Sequence, residues 1–186
     1  LEWGRKGVKE LSPISDVVII IDILSFSTCV DIVTGNSGSV FPYGWKDETA
    51  IEFAKSKNAI LADHKRQYSI RYSLSPTSLL EVKKDEKIVL PSPNGSTLSL
   101  TIDKTRTLCG CLRNAKAIAE YAMTIGKKIA LIPAGEQWQD KSLRPCFEDL
   151  VGAGAIMYYL DGTISPESKT ALSTFNSCKE SLTEWL

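Results

Sequence analysis

The sequence predicts an α/β fold, a three-layer α/β/α sandwich around a mostly parallel, mixed central sheet, and three observations carry that prediction. Val17 to Ile21 reads VVIII, a run of β-branched residues too short to cross a membrane and apolar without alternation, as in a strand covered on both faces. Further along, short apolar runs alternate with helical patterns, which is the signature of βαβ units. Several of those runs also end on an acid or a donor-rich turn. In open parallel sheets the carboxyl ends of the strands form the ligand edge, because the loops leaving the strand tips meet the first turns of the following helices there.

Taken in order, the first strand, 17–21, hands over to Asp22. That acid suits a ligand edge and equally suits the cap of the helix that follows, since Asp is among the commonest cap residues. SVFPY, 39–43, is a second strand, and DETAIEFAKSK, 47–57, gathers Ala50, Ile51, Phe53 and Ala54 on one helical face. AILAD, 59–63, is a short strand ending on Asp63, and 87–90 is a strand running into the turn at 91–95. RTLCGCL, 106–112, reads as strand; 114–126 reads as a helix closed by Gly126; 128–135 is the next strand. A helix over 144–160 is expected, with Pro145 near its first turn, and the segment from 166 to 186 reads as one or two amphipathic helices.

With 186 residues, 43% of them hydrophobic, the chain suits one domain over 1–186 with a sizeable core. Twenty-two basic residues balance twenty-two acidic ones, which gives no sign of a nucleic-acid surface or a membrane anchor. No apolar stretch approaches a membrane span and no secretory leader opens the sequence, so a soluble, cytoplasmic protein is expected. Leu1 rather than Met opens the chain, as in a trimmed product. The five cysteines are odd in number, and a reducing compartment without a disulfide framework is the expectation.

The strand ends collect Asp22, Asp63, the SPNGST turn, and PAGEQW leading to Glu148 and Asp149. Acids in a first helical turn are also favoured by the helix dipole alone, and Asn-Gly is also a common plain turn. Together with Ser92, Asn94, Gly95, Ser96 and Thr97, though, three acids at one sheet edge would suit a hard cation such as Mg²⁺ holding an oxyanion. Spacing excludes several alternatives. There is no P-loop, no Cys with Arg in phosphatase spacing, no second acid two positions after Asp22, and no Gly-x-Ser-x-Gly elbow. His64 is the sole histidine, which removes a paired-His zinc site and leaves it reading as a surface residue beside Lys65 and Arg66.

Seven blocks, EWGRKGVKEL, VVIIIDILSFSTCV, SLSPTSLLEV, VLPSPNGST, GCLRNAKAIAEYA, PAGEQW and LRPCFEDLVGAGAI, resemble in order those of the 2-phosphosulfolactate phosphatase family. The resemblance runs from about residue 2 to residue 160. It implies an α/β/α, Mg²⁺-dependent phosphohydrolase releasing phosphate from (2R)-2-phospho-3-sulfolactate to give 3-sulfolactate, on the route to coenzyme M. The family's DVLRAT block falls on Asp22 to Ser27, with Ser25 in place of its arginine. TTTNGT falls on the loop retaining Asn94, Gly95 and Ser96, and the ED before AGAI is Glu148 and Asp149. GER corresponds to ADH, with Asp63 in the place of Glu, and GNSP has become SLSP at Ser73 to Pro76. Relatives extend beyond the equivalent of Leu186, so a C-terminal segment is expected to contribute to the site.

The resulting expectation has Asp22, Asp63, Glu148 and Asp149 as Mg²⁺ ligands, with Asp22, Glu148 and Asp149 sharing the catalytic work. Asn94, Gly95 and Ser96 fix the phosphate of a small anionic phosphoester, and Arg113 and Arg144 pair its remaining anion. For both arginines a surface salt bridge is an equal reading. Two other classes stay open: a Mg²⁺-dependent phosphomonoesterase for a different small anion, and a non-catalytic anion-binding module. A homodimer is admitted, the sequence itself fixing no oligomeric state.

Overall fold

The computed structural model describes residues 1–44, 47–63 and 71–186; His64 lies outside them. In chain order the elements are α1 Gly4–Leu11, β1 Val17–Ile21, α2 Phe26–Gly35, β2 Ser39–Tyr43, α3 Thr49–Lys57, β3 Ile60–Leu61, β4 Lys87–Pro91 and α4 Gly95–Leu100. They continue with β5 Arg106–Gly110, α5 Ala115–Ile125, β6 Ile129–Pro133, β7 Glu136–Gln137, β8 Leu143–Arg144, α6 Phe147–Met157, α7 Pro166–Cys178 and α8 Leu182–Trp185. The α/β alternation is therefore present, with all pairings among β1 to β6 parallel. The strand layer consists of two three-stranded sheets, ordered β5-β1-β6 and β2-β4-β3, and the antiparallel β7-β8 hairpin supplies the mixed character.

β1 is the centre of its sheet, with Ile19 level with Leu108 of β5 and Leu131 of β6. Its side chains alternate between faces, as a strand requires. Val17, Ile19 and Ile21 pack with Ala115, Ala119 and Ala122 of α5 and with Ala153 and Ile156 of α6. Val18 and Ile20 pack instead with Val8 of α1 and Leu98 of α4. Helices thus cover both faces, which is why the run carries no polar residue; each such side chain contributes about 1.5–3 kcal/mol relative to exposure. A separate core joins Phe26, Cys29, Ile32 and Val33 of α2 to Ile88 and Leu90 of β4 and to Tyr72, Leu74 and Leu79.

Several boundaries differ from the sequence expectation, among them the strand expected over 59–63, which covers only Ile60–Leu61. The strand expected over 106–112 ends at Gly110, and the helix expected over 144–160 begins only at Phe147, with Cys146 as its N-cap. Arg144 belongs to β8 because a residue preceding proline is pushed towards extended backbone, and there it pairs with Glu136. No helix among the described residues is long and apolar enough to cross a membrane.

Candidate active site

The carboxyl ends of β1, β4 and β6 and the first turn of α6 meet at one edge. Asp22, next after β1 and only 7% exposed, has its carboxylate threaded between two elements. Its Oδ2 accepts the Gly95 amide at 2.8 Å and the Ser92 hydroxyl at 3.5 Å, and its Oδ1 accepts the Phe26 amide at 3.3 Å. Gly95 is required by proximity, because a Cβ built there would stand 2.7 Å from Asp22 Oδ2 and would run into the Phe26 ring. The cap reading and the ligand-edge reading of Asp22 are therefore both present in one side chain: one oxygen serves the first turn of α2 while the other faces the loop after β4.

Asp149 lies deeper, 4% exposed. Its Oδ1 accepts the Ile23 amide and its Oδ2 the Gly135 amide, each at 2.8 Å. These are the residues next to Asp22 and Glu136, so Asp149 braces the two backbone segments that carry the other acids. Glu136 Oε2 in turn accepts from Asn94 Nδ2 at 2.9 Å. Sequence reasoning quoted the block that contains Glu136 without singling the residue out. Its place at the end of a strand run, two residues after a proline-alanine turn, was the available signal.

Charge at this edge is one-sided. Burial pushes the Asp22 carboxyl up to about 6, helped by the charge of Glu136 and opposed by the Gly95 and Phe26 amides. Burial likewise pushes Asp149 up to about 8, with the charge of Asp22 adding to it and the Ile23 and Gly135 amides opposing. Among the described residues the ion pairs are Arg71–Glu86, Arg113–Asp31 and Lys116–Glu120, none at this edge. A buried set of acids without a cation is costly.

The other residues singled out from the sequence take different places. Ser96 is fully buried and its Oγ donates back to the Leu90 carbonyl at 2.8 Å, so the hydroxyl is spent on the end of β4. Glu148 is half-buried in the first turn of α6. Asp63 follows β3 and forms an isolated bridge with Ser73. Arg113 donates from Nε to Asp31 at 2.9 Å on an exposed surface, and Arg144 lies over the Trp138 ring at 5.6 Å. No three His, Cys, Asp or Glu side chains among the described residues gather into a metal-holding group, so Asp22, Asp63, Glu148 and Asp149 are not one preformed ligand set.

Mg²⁺ does not need such a set, because it usually keeps several waters and binds through one or two carboxylates plus substrate phosphate. Hard oxygens and uncompensated negative charge at Asp22 and Glu136 fit it; Asp149, with both oxygens on amides, fits a brace better than a ligand. Thiol chemistry fits poorly here. Burial pushes Cys109 up to about 12 and Cys146 up to about 11, leaving almost no thiolate there near neutral pH.

Ser25 and Leu74, the two positions at which the resemblance implies an arginine and an asparagine, meet in space: the Ser25 hydroxyl donates to the Leu74 carbonyl. Both residues are buried.

The model of the family described as 2-phosphosulpholactate phosphatase matches residues 6–186. The 2-phosphosulfolactate phosphatase of Methanocaldococcus jannaschii is 26% identical over 175 residues, covering 84% of this chain and 69% of that protein. Its namesake from Methanothermobacter thermautotrophicus is 26% identical over 160 residues, covering 85% and 67%. A protein of Carboxydothermus hydrogenoformans named probable 2-phosphosulfolactate phosphatase is 25% identical over 160 residues, covering 84% and 63%. The chain thus spans about two thirds of the length of these relatives. With nearly its whole length matched, the chain belongs to the 2-phosphosulfolactate phosphatase family.

Proposed function

We propose that the chain is a phosphohydrolase acting on a small polyanionic phosphomonoester, with 2-phosphosulfolactate as the substrate its relatives' names suggest. The observation that carries this reading is Asp22: a buried carboxylate, raised to about 6, bonded directly to the Gly95 amide at the joined strand ends. Such an acid is costly to fold and is the kind of group found where charge develops in a reaction.

In the reaction, water attacks phosphorus, the bond between phosphorus and the bridging ester oxygen breaks, and that oxygen takes up the proton released by the attacking water, passed on from Glu148, to give the alcohol and inorganic phosphate. Asp22 and Glu136 would hold Mg²⁺, which when bound neutralises phosphoryl oxygens and lowers the cost of the developing charge. Asn94 positions Glu136 through its 2.9 Å bond, and Asp149 keeps the two strand ends in register. Glu148, half-buried beside Asp149 and with no side-chain hydrogen bond to another described residue, is assigned to accept the proton from the attacking water. The Ser25–Leu74 contact favours a second reading of substrate within the same chemistry, because it leaves an uncharged pair where the family resemblance implies an arginine and an asparagine.

The test is phosphate release from racemic 2-phosphosulfolactate, with Mg²⁺ and with excess chelator, comparing wild type with Asp22→Asn. Metal-dependent release that the substitution abolishes supports the reading. Release that survives chelation and the substitution alike would sink it.

A further inference from the structure

A cavity of about 390 Å³ opens beside the acid edge and shares two residues with it, Asn94 and Glu136. Its remaining wall includes Trp3, Arg5, Lys6 and Lys141. The volume is in the range of small-ligand clefts, which run from a few hundred to about 1,000 Å³. Three cations line it against one carboxylate, and that carboxylate already accepts from Asn94. Arg5, Lys6 and Lys141 are absent from every ion pair among the described residues. Among the described residues no ion pair forms at the acid edge, while the cavity next to it sets three cations against the single carboxylate of Glu136. Lys141 is moreover held in the left-handed backbone region, φ 66, by the turn of the β7-β8 hairpin, where its amide donates to the Trp138 carbonyl at 2.9 Å. A residue with a side chain rarely adopts that conformation.

We propose that this cavity is the specificity pocket for the substrate's second anion, a carboxylate or sulfonate on the carbon next to the phosphoester, held by Arg5, Lys6 and Lys141. The proposal rests on the phosphohydrolase reading for where the phosphoryl group lies. It moves anion recognition away from Arg113, which is spent on Asp31, and onto α1 and the tip of the hairpin whose first strand carries Glu136. It also fixes the substrate class: a phosphomonoester with at least one further oxyanion within a few bonds, in preference to one with a neutral tail.

Arg5→Gln, Lys6→Gln, Lys141→Gln and the triple variant are the test, all at exposed positions. Phosphate release is measured on 2-phosphosulfolactate and 2-phospholactate against isopropyl phosphate, which has the same branching without the second anion. The preference for the anionic tails, as a ratio of kcat/KM, is expected to fall about tenfold per cation removed, mainly through KM, and to weaken in added salt. A preference that the triple variant leaves unchanged overturns the pocket. Should wild type release phosphate from none of the three, the phosphohydrolase reading fails, and calorimetric titration with sulfoacetate, which has both anions and no phosphoryl group, decides the pocket alone. Binding that the triple variant loses upholds it; equal or absent binding in both proteins overturns it.

Discussion

A central strand and an edge strand meet their surroundings differently. Every residue of β1, at the centre of β5-β1-β6, is fully buried, whereas β2, at the edge of the other sheet, is half-buried to exposed along its length. The first sheet sends out the two acids, Asp22 after β1 and Glu136 after β6; the second sends out the loop that donates Gly95 to Asp22 and Asn94 to Glu136. The charge of Asp22 is thus placed at the end of a strand whose surroundings are fully packed, and its donors come from the loop after β4, the buried centre of the other sheet. An electrostatic site needs its charges fixed before the substrate arrives, which two buried central strands supply.

The largest effect is expected at the tip of the central strand. Asp22→Asn should lower phosphate release on the order of 10³-fold in a protein that still melts cooperatively; release within tenfold of wild type would show that the reaction is centred elsewhere. Next comes packing. Ile19→Ala in β1 should cost roughly 3–4 kcal/mol in denaturant unfolding, against about 1 kcal/mol or less for Val40→Ala in β2. Equal costs would break the contrast between the two strands.

Acidity gives a third, intermediate effect. Asp22 and Asp149 are raised to about 6 and about 8, so between the ordinary carboxylate range and those values the folded chain holds protons that the unfolded chain has released. That stabilisation is complete below about pH 4 and is lost as pH rises through 6 and then 8, each pK unit being worth about 1.4 kcal/mol. In chelator, chemical denaturation should show stability falling across this window, and Asp149→Asn should flatten the upper part. Glu86, lowered to about 2, acts only at more acid pH and with the opposite sign. A stability that rises from pH 4 to 8 would mean that the acids are compensated by charge elsewhere.

Smallest is Arg113→Gln. An exposed pair with Asp31 is worth less than about 1 kcal/mol, and KM for phosphoester substrates should not move. A tenfold rise in KM would return this arginine to the substrate.

Why some of this could be read from the chain and some could not follows from range. β1 was legible because burial on both faces leaves a local mark, an unbroken β-branched run, and Asp22 was legible because it interrupts that run. Asp149 was legible as an acid of a first helical turn, but its task depends on the amides of Ile23 and Gly135, one of them 126 residues away. Arg113 stayed open between an anion binder and a surface salt bridge for the same reason, its partner Asp31 lying 82 residues off. The helix start at Phe147 was missed because β7 and β8 are two residues each, too short to show a period. Glu136 was lost with them, since the hairpin that presents it has no pattern of its own.

Gly95 has a consequence for how such a chain can change over generations. Side chains around the cavity, such as Lys6 or Lys141, stand at the surface and can be exchanged one at a time with little harm to folding. Gly95 has no such latitude: any side chain there collides with Asp22 and with Phe26 together, so three positions would have to move in concert. Descendants of this sequence can drift in what they accept far more readily than in how they act on it.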